Sequence, residues 1–183
     1  MGGTVGVMRL ILAGGGEAAD SVSLDRLFAR WAANGTVLYW PFALDPPLDA
    51  CLEWFGSTYG PLGVRDVVMW HSLDEITDAD LNDYAGIYIG GGNTYSLLDA
   101  IRRSGAADRL AGYVQSGHVV YGGSAGAIVL GSDIDTARHM DPNDVGLEDT
   151  AGLDLVCGYA VWCHYCRDDL GMVQAWSLEA GVG

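Results

Sequence analysis

The stretch Val119-Val120-Tyr121-Gly122-Gly123-Ser124-Ala125-Gly126-Ala127 decides the reading of this chain. Its opening apolar residues read as a buried strand, and the small residues that follow permit a sharp turn into a helix. Residues 122–126 match G-x-S-x-G, the nucleophile elbow, in which a strained turn presents a serine hydroxyl above the end of a sheet. A plain helix N-cap is the other reading of Ser124, a task that serine performs well. The flanking glycines favour the elbow, because an ordinary cap does not need them.

Outward from the elbow, short apolar runs alternate with stretches of helical spacing. Residues 8–13 (MRLILA) read as a strand feeding Gly14-Gly15-Gly16. Over 21–34 a helix is expected, with Val22, Leu24, Leu27, Phe28 and Trp31 apolar and Asp25, Arg26 and Arg30 between them. A strand over 36–40, a helix over 47–59 and a strand over 64–70 follow. Past an acidic segment at 74–83, residues 86–89 form a strand running into Gly90-Gly91-Gly92-Asn93-Thr94, and helices are expected over 95–103 and 106–116. Such alternation predicts an α/β fold with a parallel sheet covered on both faces, read as one domain over residues 1–183. Ligands of such sheets bind beyond the carboxyl ends of the strands, so the three glycine-rich turns, each following a strand, are expected to meet at one rim.

Half of the residues are hydrophobic, and the formal net charge is -15. That charge repels phosphate backbones and anionic membrane surfaces, which excludes nucleic acid as an expected partner. No uninterrupted apolar run is long enough for a membrane span, and Gly2, Gly3, Thr4 and Gly6 do not resemble a signal peptide, so a cytoplasmic location is expected. The four cysteines, Cys51, Cys157, Cys163 and Cys166, are too few and too uneven for a disulfide scaffold. Cys163 and Cys166 form a C-x-x-C, but no second pair completes a zinc site, and neither metal nor organic cofactor is expected.

His164 ends the apolar run at 159–163 and is expected at a strand end on the elbow side of the sheet, as general base. Its rivals are His71, His118 and His139. The loop at 133–144 is rich in carboxylates, and one of them is expected to orient the imidazole: Asp141, fixed by the following Pro142, is the first choice and Asp135 the second. The Ala125 N–H faces the developing oxyanion. Arg167, three residues past His164, is the candidate partner for a substrate carboxylate. Cys163 is the next nucleophile to test should Ser124 not serve.

Residues 87–98 (IYIGGGNTYSLL), residues 121–127 (YGGSAGA), His164-Tyr165 after an apolar run and Gly14-Gly15-Gly16-Glu17 together resemble peptidase family S51, which contains peptidase E and cyanophycinase. The resemblance implies a three-layer sandwich similar to class I glutamine amidotransferases and flavodoxin, with serine in place of their elbow cysteine. It implies an oxyanion hole from Gly91 or Gly92 together with Ala125, and substrate contacts at Asn93 and Thr94. It further implies hydrolysis of small peptides, dipeptides with N-terminal aspartate among them, and is compatible with a homodimer. Members of this group usually continue past the equivalent of Gly183 with further strands, so a chain short at its C-terminus is expected. Two rivals remain: an α/β-hydrolase-type esterase, whose H-G-G-G loop is missing here, and a catalytically silent binding or scaffold domain.

Overall fold

The computed structural model describes residues 7–16, 18–45, 48–77 and 79–181. Residues 1–6, Glu17, Pro47, Asp78 and Gly183, which entered the sequence reading, lie outside them. Five strands, β1 (Arg9–Ala13), β2 (Val37–Trp40), β3 (Val67–Met69), β4 (Gly86–Ile89) and β5 (Val119–Gly123), form one sheet in the order β1-β5-β4-β2-β3. Every pairing is parallel, with Ala13 beside Gly123 and Ile89 beside Gly122 in register. The helices are α1 (Ala18–Trp31), α2 (Asp49–Tyr59), α3 (Thr94–Ser104), α4 (Ala106–Gln115), α5 (Ala125–Leu130) and α6 (Leu170–Ala180). This is the expected parallel α/β sandwich. No helix among the described residues is long and apolar enough to cross a membrane.

Strand residues alternate between two cores because successive side chains point to opposite faces. Leu38, Trp40, Ile87, Ile89 and Val120 pack on one face against Leu97, Leu98 and Ile101 of α3, Leu110 and Val114 of α4 and Ile128 of α5. Val37, Tyr39, Tyr88, Val119 and Tyr121 face the other way, against Phe28 of α1 and Phe55 and Tyr59 of α2. The first core is mainly aliphatic and the second mainly aromatic. In the second, Tyr88 stacks on Tyr121 at 4.8 Å, and Phe28 stands edge-on to Tyr59, Tyr88 and Tyr121.

Three local expectations are corrected. Residues 159–163 are not a strand: positive φ at Asp154, Cys157 and Gly158 turns the chain just before them. The carbonyls of Tyr159 and Val161 accept hydrogen bonds from Ser132 N and Thr136 Oγ1, so this segment is held to the loop after α5. Asp25, read as lying between the apolar positions of its helix, is only 6% exposed. It shares an i, i+3, i+4, i+7 stripe with Phe28, Ala29 and Ala32, all buried, which is the inward face of α1. Finally, α6 was not anticipated; a weakly amphipathic helix gives little periodic signal.

Phe28 is fully buried at the centre of the aromatic face. Phe28→Ala is expected to destabilise the fold by about 3–5 kcal/mol, read from the midpoint of denaturant unfolding.

Candidate active site

The elbow is built by the end of β5 and the start of α5. Ser124 has φ 48 and ψ -113, a sparsely populated conformation for a non-glycine residue. It occupies the N-cap position of α5, yet its side chain makes no capping hydrogen bond. The hydroxyl instead meets His164: Ser124 Oγ lies 2.8 Å from His164 Nε2. Gly126 permits the close approach beneath, since a Cβ there would run into the carbonyl oxygen of Ile89.

Both residues hang on the end of β1. Ser124 N donates to Ala13 O at 2.9 Å and His164 N donates to Gly14 O at 2.7 Å. His164 also has positive φ, 53°. Its ring lies over Gly15, where a Cβ would overlap the imidazole, 2.6 Å from Nε2 and 2.8 Å from Nδ1. Gly15, at φ +82, is therefore required both by its backbone and by the ring above it. With the ring proton on Nδ1, Nε2 accepts the Ser124 hydroxyl proton, the arrangement general-base chemistry needs.

The glycine turn after β4 closes the other side. A Cβ on Gly91 would lie 3.1 Å from Ser124 Cβ, so the Gly91 backbone borders Ser124. Gly92 is pressed against the carbonyl of Ala43, and Asn93 N donates to that same oxygen at 2.6 Å. Ala125 opens α5, where an amide has no intrahelical acceptor. Gly91 and Ala125 thus flank Ser124, whereas Gly92 is turned to the 42–44 loop.

Other residues singled out from the sequence have different tasks. Asp141 does not orient His164: its Oδ2 accepts from Thr94 N at 2.8 Å and from Thr94 Oγ1. A carboxylate at the first turn of α3 also suits the helix dipole. Asp135 pairs with Arg138 at 3.3 Å and accepts a long bond from Tyr95 OH. Among the described residues no hydrogen bond joins either aspartate to His164. Asn93 caps α3 through Ser96 N and donates to Pro142 O, and Thr94 is fully buried. The Asn93-Thr94 and Asp141-Pro142 pairs therefore clamp the glycine turn to the 133–142 loop rather than reaching for substrate. Arg167 is exposed and does not line the cavity beside Ser124.

The other histidines make contacts elsewhere, whereas the C-x-x-C reaches the elbow through the Cys163 thiol. His71 is exposed, with its amide on Glu75 Oε1; His118 lies edge-on to Tyr113; His139 stacks on Trp162 at 4.8 Å. Cys163 is buried with its thiol toward Ser124 O, and burial pushes that thiol up to about 12, so it stays protonated at neutral pH. Cys166 is exposed. No group of three potential metal ligands occurs among the described residues.

A cavity of about 590 Å³ opens beside Ser124. Ser124, Gly15 and Gly91 line it together with Tyr59, Tyr88, Tyr121, Trp54, Asp25 and Arg26. A second cavity of about 300 Å³ shares Trp54, Tyr88 and Gly91 with the first and is otherwise lined mainly by apolar groups, Leu44 and Ala50 among them. Sequence reasoning missed this chamber. Its one legible signal was Asp25 on the same helical stripe as Phe28, Ala29 and Ala32.

The family model for peptidase family S51 matches residues 10–172. An uncharacterized peptidase of Pasteurella multocida is 41% identical over 96 residues, covering 51% of this chain and 45% of that protein. One from Listeria monocytogenes is 35% identical over 97 residues, covering 51% and 46%. The chain thus aligns with less than half the length of these curated relatives. Among solved structures, a candidate peptidase E protein from Listeria monocytogenes superposes with TM-score 0.73 at 26% identity, covering 94% of this chain and 87% of that one. A peptidase from an acI-B1 Actinobacterium shares the fold, with TM-score 0.63 at 21% identity over 92% and 73% of the two chains.

Two substitutions separate orientation from clamping. Gly15→Ala displaces the His164 ring and is expected to slow fluorophosphonate labelling of Ser124 by about 10²-fold, as a misplacement of about 1 Å does, while circular dichroism stays native. Asp141→Asn is expected to lower stability by about 1–2 kcal/mol through the weakened hold on α3. Its labelling rate is expected to fall far less than the roughly 10⁴-fold that loss of an orienting carboxylate produces.

Proposed function

The chain belongs to peptidase family S51, and on that premise we propose that it is a serine peptidase acting on short peptides through an acyl-enzyme on Ser124. The observation that carries this reading is the 2.8 Å contact between Ser124 Oγ and His164 Nε2, made by a serine in elbow conformation. Ser124 Oγ attacks the scissile carbonyl while His164 Nε2 takes its proton. The tetrahedral oxyanion is received by the amides of Gly91 and Ala125, which flank the serine; one such donor is worth roughly 3 kcal/mol in other hydrolases. His164 then gives the proton to the leaving amine, and water attacks the acyl-enzyme by the reverse proton path. Neither Asp141 nor Asp135 serves as the orienting carboxylate in this reading, since both are engaged elsewhere.

The site's size and the family support a substrate class of short peptides. A chamber of about 590 Å³ is in the range of small-ligand sites and suits a dipeptide or tripeptide better than a folded protein. Dipeptides with N-terminal aspartate belong on the first panel, because the sequence resembles peptidase E at the glycine turn and the elbow.

Fluorophosphonate labelling followed by peptide mapping tests the proposal. The wild type is expected to be labelled at Ser124 and to hydrolyse short peptides. Ser124→Ala is expected to abolish both with stability nearly unchanged, and Cys163→Ala is expected to keep both. Labelling at another residue, or hydrolysis surviving in Ser124→Ala, defeats the reading; no labelling and no hydrolysis in the wild type favours a silent binding domain.

A further inference from the structure

We propose that Asp25 makes the chamber beside Ser124 a receptor for an ammonium group of the substrate. The inference rests on the serine-peptidase reading and names what that site selects. Asp25 is only 6% exposed, yet it lines the same cavity as Ser124. Its Oδ1 accepts hydrogen bonds from Tyr59 OH and Tyr121 OH, both at 2.8 Å, and its Oδ2 accepts one from Ser21 Oγ at 2.8 Å. These donors are neutral hydroxyls on three separate elements, α2, β5 and α1. Among the described residues no arginine or histidine pairs with this carboxylate, and the chain contains no lysine.

A carboxylate in this setting is built to accept. A carboxylate group offers about four acceptor sites, of which the hydroxyls take three, so acceptor capacity remains at this cavity-lining residue. A buried carboxylate without a counter-charge gains most from a cation that enters the same low-dielectric space. Tyr59, Tyr88, Tyr121 and Trp54 line the remainder, and aromatic faces also attract cations. The other charge on the lining is Arg26, but its side chain is exposed, where water and salt weaken its opposing field. The net charge of -15 adds a long-range field of the same sign as Asp25.

This chemistry has two sources in a short peptide: the free N-terminal ammonium, or the ammonium of a lysine side chain. Selecting the first would confine the enzyme to cleavage close to the N-terminus.

The test compares alaninamide, which carries one ammonium, with N-acetylalaninamide, which keeps the skeleton and loses the charge. Both are offered as protectants against fluorophosphonate labelling of Ser124. Alaninamide is expected to slow labelling of the wild type, and N-acetylalaninamide is not. In Asp25→Asn, which keeps the size of the side chain, the alaninamide concentration needed is expected to rise by about tenfold or more, the factor that a charge-assisted hydrogen bond supplies. n-Butylammonium serves as the side-chain arm: protection by it assigns the lysine source, protection by alaninamide alone assigns the N-terminus, and either outcome supports an ammonium site. Equal protection by the two amides together with no protection by n-butylammonium, or protection that is unchanged in Asp25→Asn, overturns the proposal. If Asp25→Asn does not fold, the wild-type comparison of the three ligands decides. If fluorophosphonate labels nothing, the serine-peptidase reading fails by itself, and the same three ligands are compared by their shift of Tm in the wild type and in Asp25→Asn, with the same outcomes.

Discussion

The carboxyl end of β1 is the constraint on which the site depends. Two successive carbonyls there, Ala13 and Gly14, accept the backbone amides of Ser124 and His164. Those two residues are 40 positions apart in the chain, yet hydrogen bonds to neighbouring peptide groups place their side chains 2.8 Å from each other. A short glycine turn is needed at this point because the imidazole lies directly over Gly15. The sheet thus works as a jig: parallel pairing of β1 with β5 fixes the height of Ser124, and the peptide just past β1 fixes His164.

Holding the pair this way stores strain. Ser124 and His164 are both non-glycine residues with positive φ, and each such residue costs on the order of 1–3 kcal/mol. The surrounding structure over-determines them. Beneath the elbow, α5 buries all six of its residues, and Gly126 packs on the carbonyl of Ile89. In front, the glycine turn after β4 is fixed by Asn93 at α3 and by the clamp between Thr94 and Asp141. Each clamp acts on backbone rather than on the reacting groups, which is how a strained hydroxyl is held with a fixed direction.

The two faces of the sheet divide the labour. The aliphatic face, under α3, α4 and α5, anchors the elbow helix. The aromatic face, under α1 and α2, carries the chamber, and there tyrosine hydroxyls converge on Asp25. Tyrosine suits this place because its ring fills apolar space while its hydroxyl satisfies a buried acceptor. A uniformly aliphatic face would leave the Asp25 carboxylate with Ser21 as its side-chain donor among the described residues, so its Oδ1 would be buried without a partner, a cost of several kcal/mol.

The sequence by itself determined the parallel α/β architecture and singled out the two residues, Ser124 and His164, that the fold brings into contact. Each of these is written in local pattern: apolar runs ending in glycine turns, G-x-S-x-G at 122–126, and a histidine closing an apolar segment. Even where residues 159–163 proved not to be a strand, His164 came to the expected rim, because its amide bonds the end of β1. What only the tertiary structure decided is the partnership of carboxylates. Asp141 looked placed for His164 by its order in the chain, yet the fold brings Thr94 to it; Asp25 was set apart from the apolar positions of its helix, yet the inward turn of α1 sets it under Tyr59 and Tyr121. The physical reason is range. Backbone pattern is a property of neighbours in sequence, whereas a carboxylate is assigned its role by donors that approach from 34 and 96 positions away, as Tyr59 and Tyr121 approach Asp25.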